Sequence, residues 1–124
     1  MKARILYIED NEQNLYLVTY LLEARGHEVH AARDGLTGIG MAASLRPDLI
    51  LLDIQLPLMD GHAVARELRA NPDLGGIPIV AVTSYAMAGD REKAIAAGCN
   101  GYIEKPINPD TFLQQVEAHL PRGE

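Results

Sequence analysis

The amino-acid sequence predicts an α/β domain in which a parallel sheet is covered by helices on both faces. Short, almost continuously apolar runs alternate along the chain with longer segments whose apolar residues recur at helical spacing. Because strands and helices alternate throughout, each strand is expected to reach the next through a crossover helix, as in a parallel sheet. No linker, repeat or low-complexity segment interrupts the pattern, so a single domain covering residues 1–124 is expected.

Five apolar runs bounded by turn-forming residues are predicted to be the strands. They are Ala3–Ile8, Glu28–Ala32, Asp48–Asp53, Ile77–Thr83 and Gly101–Ile103. The first, third and fourth are almost wholly apolar, as expected for strands covered on both faces. The second carries Glu28 and His30, which suits an edge of the sheet. This difference favours the flavodoxin-like order 2-1-3-4-5, a three-layer (βα)5 arrangement whose cleft lies between the first and third strands.

The first two helices are predicted from their capping residues. The first starts at Asp10-Asn11 and ends at Gly26, since Asp and Asn cap helix N-termini and glycine ends helices. The second spans about Asp34–Leu45, with its first residue as the N-cap. Gly38 and Gly40 weaken this helix, because each glycine costs roughly 1 kcal/mol relative to alanine.

The remaining helices complete the alternation. The third and fourth are predicted at Ala63–Ala70 and Arg91–Ala97. Asn108 followed by Pro109 opens the last helix, since proline is favoured at the first helical position. This helix has one apolar stripe, formed by Phe112, Val116 and Leu120.

Composition excludes several classes of protein. Hydrophobic residues make up 48% of the chain, which argues against disorder. The net charge is −6 and the 11 basic residues are scattered, so no nucleic-acid partner is expected. No run approaches the ~20 apolar residues of a membrane span, so no membrane partner is expected either. The single cysteine, Cys99, allows no internal disulfide and suits a reducing, cytoplasmic setting.

Some polar or reactive residues are assigned no chemistry. The four histidines are dispersed, without metal-ligand spacing, and are predicted to lie at the surface: His27, His30, His62 and His119. Cys99 is predicted to be a buried thiol at the end of the fourth helix, where it acts as a small hydrophobic residue.

Charged residues follow three of the predicted strands. Glu9-Asp10 follows the first, Asp53 ends the third, and Lys105 follows the fifth. The carboxyl ends of parallel strands meet at one edge of the sheet, so these groups are expected to share a cleft. Two carboxylates at ~4 Å repel by roughly 4 kcal/mol at an effective dielectric near 20. The cluster therefore indicates a bound divalent cation or a protonated member. The alternative is that each acid merely caps the helix after its own strand.

Four stretches resemble the receiver domains of two-component response regulators. They are Ile8-Glu9-Asp10-Asn11, residues 53–61 (Asp-Ile-Gln-Leu-Pro-Leu-Met-Asp-Gly), Val82-Thr83-Ser84 and Tyr102-Ile103-Glu104-Lys105-Pro106. In this order and at these separations they cover essentially the whole chain. The similarity is greatest to single-domain receivers of the cell-division type and to the receiver modules of hybrid histidine kinases.

The resemblance implies a Mg²⁺ site. Asp10, Asp53 and the backbone carbonyl of Gln55 would hold the ion, and Glu9 would contribute through water. Mg²⁺ prefers octahedral oxygen coordination and keeps several waters, so this donor set suits it.

The resemblance also implies a phosphorylation site. Asp53 would be the phosphoacceptor, while Lys105 would pair with the phosphoryl group and the Thr83 hydroxyl would bind one of its oxygens. Phosphorylation adds about −1.5 to −2 charge, so a cation is needed beside the acids. Pro106 would follow a cis peptide bond, and Tyr102 would be an aromatic switch that turns inward when Thr83 moves toward the phosphate. For Thr83 and Tyr102, plain roles as a helix cap and a core aromatic remain open.

The implied function is a phosphorylation-activated switch of a two-component system or phosphorelay. The phosphodonor would be a histidine kinase or a histidine phosphotransfer protein, and a downstream protein target would receive the signal. Such a protein is not an enzyme, apart from catalysing its own phosphoryl uptake and slow self-dephosphorylation. A monomer or weak dimer is expected. Because Arg122-Gly123-Glu124 directly follows the last predicted helix, no output domain is expected.

Two hypotheses concern the lifetime and the output of the phosphorylated form. Gln55 and Tyr85 each lie two residues beyond a predicted site residue, so their side chains are predicted to shield the acyl phosphate from water. The signal is predicted to leave through the face formed by the fourth helix, the fifth strand and the last helix, because Thr83 and Tyr102 border it. The apolar, Ala-rich segment Tyr85–Gly89 suits an adaptable surface there.

Two alternatives come from other functional classes. A flavin-binding electron carrier on the same fold would need a Ser-, Thr- or Gly-rich phosphate loop after the first strand. Instead, Glu9-Asp10-Asn11-Glu12 would repel the cofactor phosphate. A Mg²⁺-dependent aspartyl phosphohydrolase is compatible with the carboxylates, but 124 residues leave no room for a cap domain or a substrate pocket. Catalytic turnover of a separate substrate would distinguish it from a receiver.

Overall fold

The computed structural model describes residues 2–84 and 89–120. The strands are β1 (Arg4–Ile8), β2 (Glu28–Ala32), β3 (Leu49–Asp53), β4 (Ile79–Thr83) and β5 (Gly101–Glu104). The helices are α1 (Glu12–Ala24), α2 (Gly35–Leu45), α3 (Gly61–Ala70), α4 (Asp90–Ala96) and α5 (Pro109–Glu117), with a short 3-10 helix at Pro72–Leu74. Within the described residues, none of the helices combines the length and apolar character that a membrane crossing requires.

The five strands form one parallel sheet in the order β2-β1-β3-β4-β5, which confirms the predicted topology. Ile5 of β1 pairs with Val29 of β2 on one side and with Leu49 of β3 on the other. Every residue of β3 and β4 is buried, whereas β2 is only partly buried. The polarity of the second run therefore reflects its position at the edge of the sheet.

Two hydrophobic cores lie on opposite faces of the sheet. One packs the sheet against α1 and α5, through residues that include Leu22 and Phe112. The other packs it against α2, α3 and α4, through residues that include Val64 and Ala94. Burying one leucine completely contributes roughly 1.5–3 kcal/mol. These two cores hold the carboxyl ends of the strands in fixed relative positions.

The predicted helix caps are present. The side chain of Asn11 accepts a hydrogen bond from the backbone N–H of Asn14, and Asp34 accepts one from Thr37. Asn108 caps α5 in the same way. Because each cap satisfies a backbone donor that the helix leaves open, each stabilises its helix by about 1 kcal/mol.

The structure shifts the starts of β4 and α3 by two residues each. β4 begins at Ile79 rather than Ile77, because the Ile77 amide donates to the Leu74 carbonyl in the turn before it and Pro78 has no N–H. α3 begins at Gly61 rather than Ala63. A Cβ at Gly61 would lie 2.4 Å from the Cα of Ile54, so only glycine lets this helix start so close to the end of β3.

His27 corrects the prediction that all four histidines lie at the surface. It is 3% exposed, and its Nδ1 accepts a hydrogen bond from the backbone N–H of Ala3 at 3.1 Å. Its Nε2 lies 2.9 Å from a carboxylate oxygen of Glu117 in α5. The ring therefore joins the loop after α1 to β1 and to α5, a role that the spacing of histidines in the sequence does not reveal. Cys99 is buried as predicted.

The two glycines of α2 are expected to respond oppositely to alanine. A Cβ at Gly38 would lie 2.5 Å from Cδ1 of Ile8, whereas nothing lies within 4 Å of a Cβ at Gly40. Gly38→Ala is therefore expected to destabilise the fold by roughly 1–3 kcal/mol through overpacking. Gly40→Ala should stabilise it by up to about 1 kcal/mol through helix propensity. Urea unfolding of the two variants tests this, and equal stabilisation by both would show that α2 can move away from the sheet without cost.

Candidate functional site

The sheet topology brings charged and hydroxyl side chains from four strands to one edge. Glu9 and Asp10 directly follow β1, Asp53 is the last residue of β3, Thr83 is the last residue of β4, and Lys105 follows β5. All four strands are parallel, so these positions lie at the carboxyl edge of the sheet. The predicted cleft between the first and third strands is therefore where the acids meet.

The three acids form a compact cluster. One carboxylate oxygen from each of Glu9, Asp10 and Asp53 lies within 4.8 Å of the other two. Glu9 and Asp53 are buried, whereas Asp10 is exposed. The N-cap of α1 is Asn11, so Glu9 and Asp10 do not fill that role. Simple capping of separate helices therefore does not explain the cluster.

Lys105 supplies the positive charge of the cluster. Its Nζ lies 2.8 Å from Oε1 of Glu9 and 3.4 Å from Oδ2 of Asp53. Its side chain is only 11% exposed, so water screens these contacts weakly. The lysine thus bridges the two buried acids.

Glu9 is held by a second set of donors that sequence reasoning missed. The buried Tyr7 hydroxyl donates to Oε1 of Glu9 at 2.9 Å, and the amide of Asn14 donates to the same oxygen at 3.4 Å. The backbone N–H of Asn11 donates to the other oxygen at 3.3 Å. In the sequence, the only sign of these contacts is that Asn14 lies one turn into the predicted first helix. Glu9 is therefore fixed in place rather than free to move toward a ligand.

Burial and mutual repulsion give the two buried acids, Glu9 and Asp53, different pKa values. Burial, together with the neighbouring Glu9, raises the pKa of Asp53 to about 7. Burial acts against the Glu9 anion too, but hydrogen bonds from Asp53, Lys105 and the Tyr7 hydroxyl outweigh it and lower the pKa of Glu9. The same burial and the Glu9 charge raise the pKa of Tyr7, which keeps its hydroxyl a donor. The pair thus keeps a proton on Asp53 until near-neutral pH.

This protonation predicts a pH-dependent stability in EDTA. Because the folded pKa of Asp53 lies above the ordinary value of 3.8, folding favours the protonated form, and stability falls as pH rises toward 7. Asp53→Asn lacks this titration. As the pH is raised from about 5 to 8, the free energy of unfolding of Asp53→Asn is therefore expected to rise by on the order of 2 kcal/mol relative to that of wild type. Urea unfolding at both pH values measures the difference, and a constant difference would contradict the raised pKa.

Gln55 contributes two contacts beside Asp53. Its backbone N–H donates to Oδ1 of Asp53 at 2.9 Å, and its side-chain oxygen accepts from the Ser84 hydroxyl at 2.6 Å. The Gln55 side chain therefore reaches from the loop after β3 to the end of β4. Tyr85, predicted to act with Gln55, lies outside the described residues, as does most of the Tyr85–Gly89 segment.

Thr83 and Tyr102 lie together, as the predicted switch requires. Both line a cavity of about 50 Å³, which Ile54 and His62 also line. Thr83 is buried and Tyr102 is half-buried in β5. The Lys105–Pro106 peptide bond is cis, the isomer that the family resemblance implies.

The acid cluster suits a hard divalent cation. Its donors are carboxylate oxygens, which Mg²⁺ and Ca²⁺ prefer, and the described cluster contains no sulfur or imidazole ligand. Two buried carboxylates share one lysine here, so a second negative charge in this space is costly without a further cation. The exposed Asp10 leaves one side of the cluster open to solvent, which suits an ion that keeps several waters.

Comparison with known proteins decides the family. Residues 5–117 match the family model described as the response regulator receiver domain. The chain belongs to this family. The receiver is also 42% identical over 120 residues to the polar-differentiation response regulator DivK of Brucella anthropi, covering 97% of this chain and 98% of that protein. DivK of Brucella ovis is 41% identical over the same length and share.

Solved structures support the same assignment. The receiver matches the chemotaxis protein CheY4 of Vibrio cholerae with a TM-score of 0.91 and 28% identity, covering 97% of this chain and 100% of that one. It matches the receiver domain of the sensor histidine kinase PA1611 of Pseudomonas aeruginosa with a TM-score of 0.87 and 34% identity. That match covers 96% and 98% of the two chains, and the PA1611 structure contains a magnesium ion in its active-site cleft.

The family assignment confirms the predicted class of function. The protein is a receiver of the two-component type, whose role is phosphorelay signalling rather than conventional enzyme catalysis. Membership implies a phosphodonor kinase and downstream targets. Receiver domains bind Mg²⁺ in their active site, and the cluster of Glu9, Asp10 and Asp53 could hold such an ion. This relationship favours a receiver over the flavin-carrier alternative.

Proposed function

We propose that this receiver is a Mg²⁺-dependent switch that accepts one phosphoryl group on Asp53. The observation that carries the proposal is the position of Lys105, whose Nζ lies 3.4 Å from Asp53 Oδ2 while also binding Glu9. A phosphoryl group on Asp53 would find its counter-charge already in place. Phosphoryl transfer depends mainly on such positioning and charge neutralisation.

Asp53 is the best nucleophile of the three acids. Glu9 accepts hydrogen bonds on both oxygens, and Asp10 lies exposed at the outer side of the cluster. In the reaction, a carboxylate oxygen of Asp53 forms a bond to phosphorus as the bond from phosphorus to the donor breaks. The leaving group keeps the electron pair of that bond. Lys105 stays beside the transferred group and offsets its charge.

The metal ligands that we propose are Asp10, Asp53 and the backbone carbonyl of Gln55, with Glu9 acting through water. The mutual approach of the three carboxylates supports this set. When bound, Mg²⁺ would neutralise charge on the phosphoryl oxygens. The protein holds Asp53 for this purpose through the Gln55 N–H, and it holds Glu9 through Tyr7 and Lys105.

Output is proposed to pass from Thr83 through Tyr102 to the face formed by α4, β5 and α5. The cavity that Thr83 and Tyr102 share supports this route, since movement of the threonine toward the phosphoryl group changes the space beside the tyrosine. A downstream protein would read the altered face. Because coupling between linked sites is typically 1–3 kcal/mol, the unphosphorylated receiver should bind the same target more weakly.

Phosphoryl uptake from acetyl phosphate tests the proposed function. With Mg²⁺, intact-protein mass spectrometry should show one added phosphoryl group per chain, and EDTA should prevent the addition. The group should then be lost slowly, so that excess donor is hydrolysed no faster than the phosphorylated protein loses its phosphate. Donor hydrolysis at many turnovers per protein within the lifetime of that phosphate would instead favour the aspartyl phosphohydrolase alternative. Labelling that is independent of Mg²⁺ would contradict the proposed metal role.

Replacing Tyr102 is expected to separate phosphorylation from output. Tyr102→Ala should take up phosphate at the wild-type rate, because β4 separates Tyr102 in β5 from Asp53 at the end of β3. In the wild type, backbone amide NMR shifts on phosphorylation should extend from the Asp53 loop to β5 and α5. In Tyr102→Ala the shifts in β5 and α5 should shrink. Wild-type shifts confined to the loops after β1 and β3 would refute this output route.

A further inference from the structure

The outer edge of β2 has backbone groups available for another strand. β2 is the outermost strand of the sheet formed by the described residues. The Glu28 N–H donates to Ala3, and the Ala32 carbonyl accepts from Glu9, so both residues direct their backbone groups toward β1. Because these groups alternate in direction along a strand, those of Val29 and Ala31 face away from the sheet. Such an edge is a template for strand addition.

A groove of about 400 Å³ runs beside this edge, between β2 and the outer side of α1. Ala31 of β2 also lines the groove, and its small methyl side chain does not fill the space beside the strand. Tyr16 and Tyr20 form its wall and are 75% and 62% exposed. They lie one helical turn apart on α1, so their side chains are neighbours on the helix surface. Two large exposed aromatics on one side of a groove are typical of an interaction surface.

The charge of the groove selects a cationic occupant. Glu12 is neutralised by Arg33, which donates to it at 2.6 Å. Glu23 adds a further negative charge beside the tyrosines. Arg and Lys bind favourably to aromatic faces and to carboxylates. A second copy of this chain suits the groove poorly, because each copy has a net charge of −6.

We propose that the β2 edge and this groove dock an extended, basic segment of a partner protein. The segment would pair with Val29 and Ala31 as an added strand. Alternate side chains would point toward α1, placing an Arg or Lys against Tyr16, Tyr20 and Glu23. The surface lies on the β2 side of α1, and the proposal does not depend on phosphorylation of Asp53.

A synthetic peptide of about twelve residues that alternates Val and Arg serves as the probe. Titrated into the ¹⁵N-labelled receiver, it should produce saturable amide shifts at Val29 and Ala31 and in the Tyr16–Tyr20 turn. The matched peptide with Glu in place of Arg should not bind. Tyr20→Ala should weaken binding roughly three- to fivefold, the loss expected for one exposed cation–aromatic contact. Glu23→Lys should weaken it at least as much.

Glu67→Lys is the matched control, since Glu67 is an exposed acid on α3 in the opposite helical layer. It should leave the affinity unchanged. If Glu67→Lys and Glu23→Lys weaken binding equally, the attraction is only the general charge of the protein, and the proposal fails. Shifts centred away from β2 would also overturn it. So would concentration-dependent dimerisation that Tyr20→Ala abolishes, because the groove would then be an interface between two copies.

Ala31→Pro tests the strand pairing separately from the groove. Proline removes the outward N–H of residue 31, which β1 does not use, and proline is tolerated on edge strands. The variant should lose peptide binding while circular dichroism shows an intact fold. Full binding by the folded variant would exclude strand addition. If the variant does not fold, the Tyr20→Ala and Glu23→Lys results decide the proposal.

Discussion

Asp53→Asn is expected to abolish phosphoryl uptake from acetyl phosphate while the protein stays folded. An amide is not a nucleophile toward phosphorus, so no acyl phosphate can form at this position. The substitution conserves shape, and the amide oxygen can still accept from the Gln55 N–H as Oδ1 of Asp53 does at 2.9 Å. The amide NH₂ can take the place of the proton that Asp53 shares with Glu9. Mass spectrometry should therefore find no added phosphoryl group in a protein with wild-type circular dichroism.

Asp60→Asn is the matched control for this experiment. Asp60 lies in the same loop, and its carboxylate is exposed at 3.5 Å from the ring of His62. It makes no side-chain cap to α3, so its loss should not disturb the helix. The control should label like wild type. Equal labelling of wild type and Asp53→Asn would remove Asp53 as the phosphoacceptor, and loss of labelling in both variants would indicate a role for the loop rather than for one nucleophile.

Asp10→Ala is expected to weaken Mg²⁺ binding by about tenfold or more, which corresponds to about 1.4 kcal/mol. Asp10 is one of the three acids whose oxygens lie within 4.8 Å of each other, and it is the proposed ligand on the exposed side of the cluster. Removing it deletes a charged ligand that Mg²⁺ binds strongly. In EDTA the variant should be as stable as wild type or slightly more so, because one source of repulsion is gone. Calorimetric titration gives the affinity, and urea unfolding gives the stability.

Glu12→Ala is the control for the metal experiment. Glu12 is an exposed acid two residues further along, but it pairs with Arg33 and lies outside the cluster. Its removal changes the net charge by the same amount as Asp10→Ala. The Mg²⁺ affinity of Glu12→Ala should therefore stay close to wild type. Unchanged Mg²⁺ affinity in Asp10→Ala would exclude Asp10 from the metal site. Equal weakening in both variants would show that the change in net charge, rather than the loss of a ligand, lowers the affinity.

The sequence predicted the strand order because burial leaves a direct trace in composition. A strand covered on both faces is apolar at almost every position, as β3 and β4 are up to their last residues, Asp53 and Thr83. An edge strand tolerates Glu28 and His30, and β2 proved to be the edge. Once the order is known, the carboxyl ends of β1 and β3 must be neighbours. The meeting of Glu9-Asp10 with Asp53 was therefore predictable without coordinates.

Local signals fixed the helix caps but not the close packing of helices. Asn11 and Asp34 act on amides within three residues, so their neighbours in sequence suffice to identify them. Helix propensity, which is also a local property, identifies Gly38 only as a residue that weakens α2. Its actual role depends on Ile8, 30 positions earlier, and only the packing of α2 on the sheet brings the two together.

By itself, the sequence determined the fold class, the strand order, the caps and which acids share a cleft, because hydrophobic period and chain direction encode them. Only the tertiary structure decided the rest: that His27 is buried against Glu117, that Tyr7 and Lys105 hold Glu9, and that Asp53 keeps a proton to about pH 7. These features depend on distances of a few ångströms between residues far apart in the chain. The effects of burial and charge depend on these short distances, and the order of residues along the chain does not specify them.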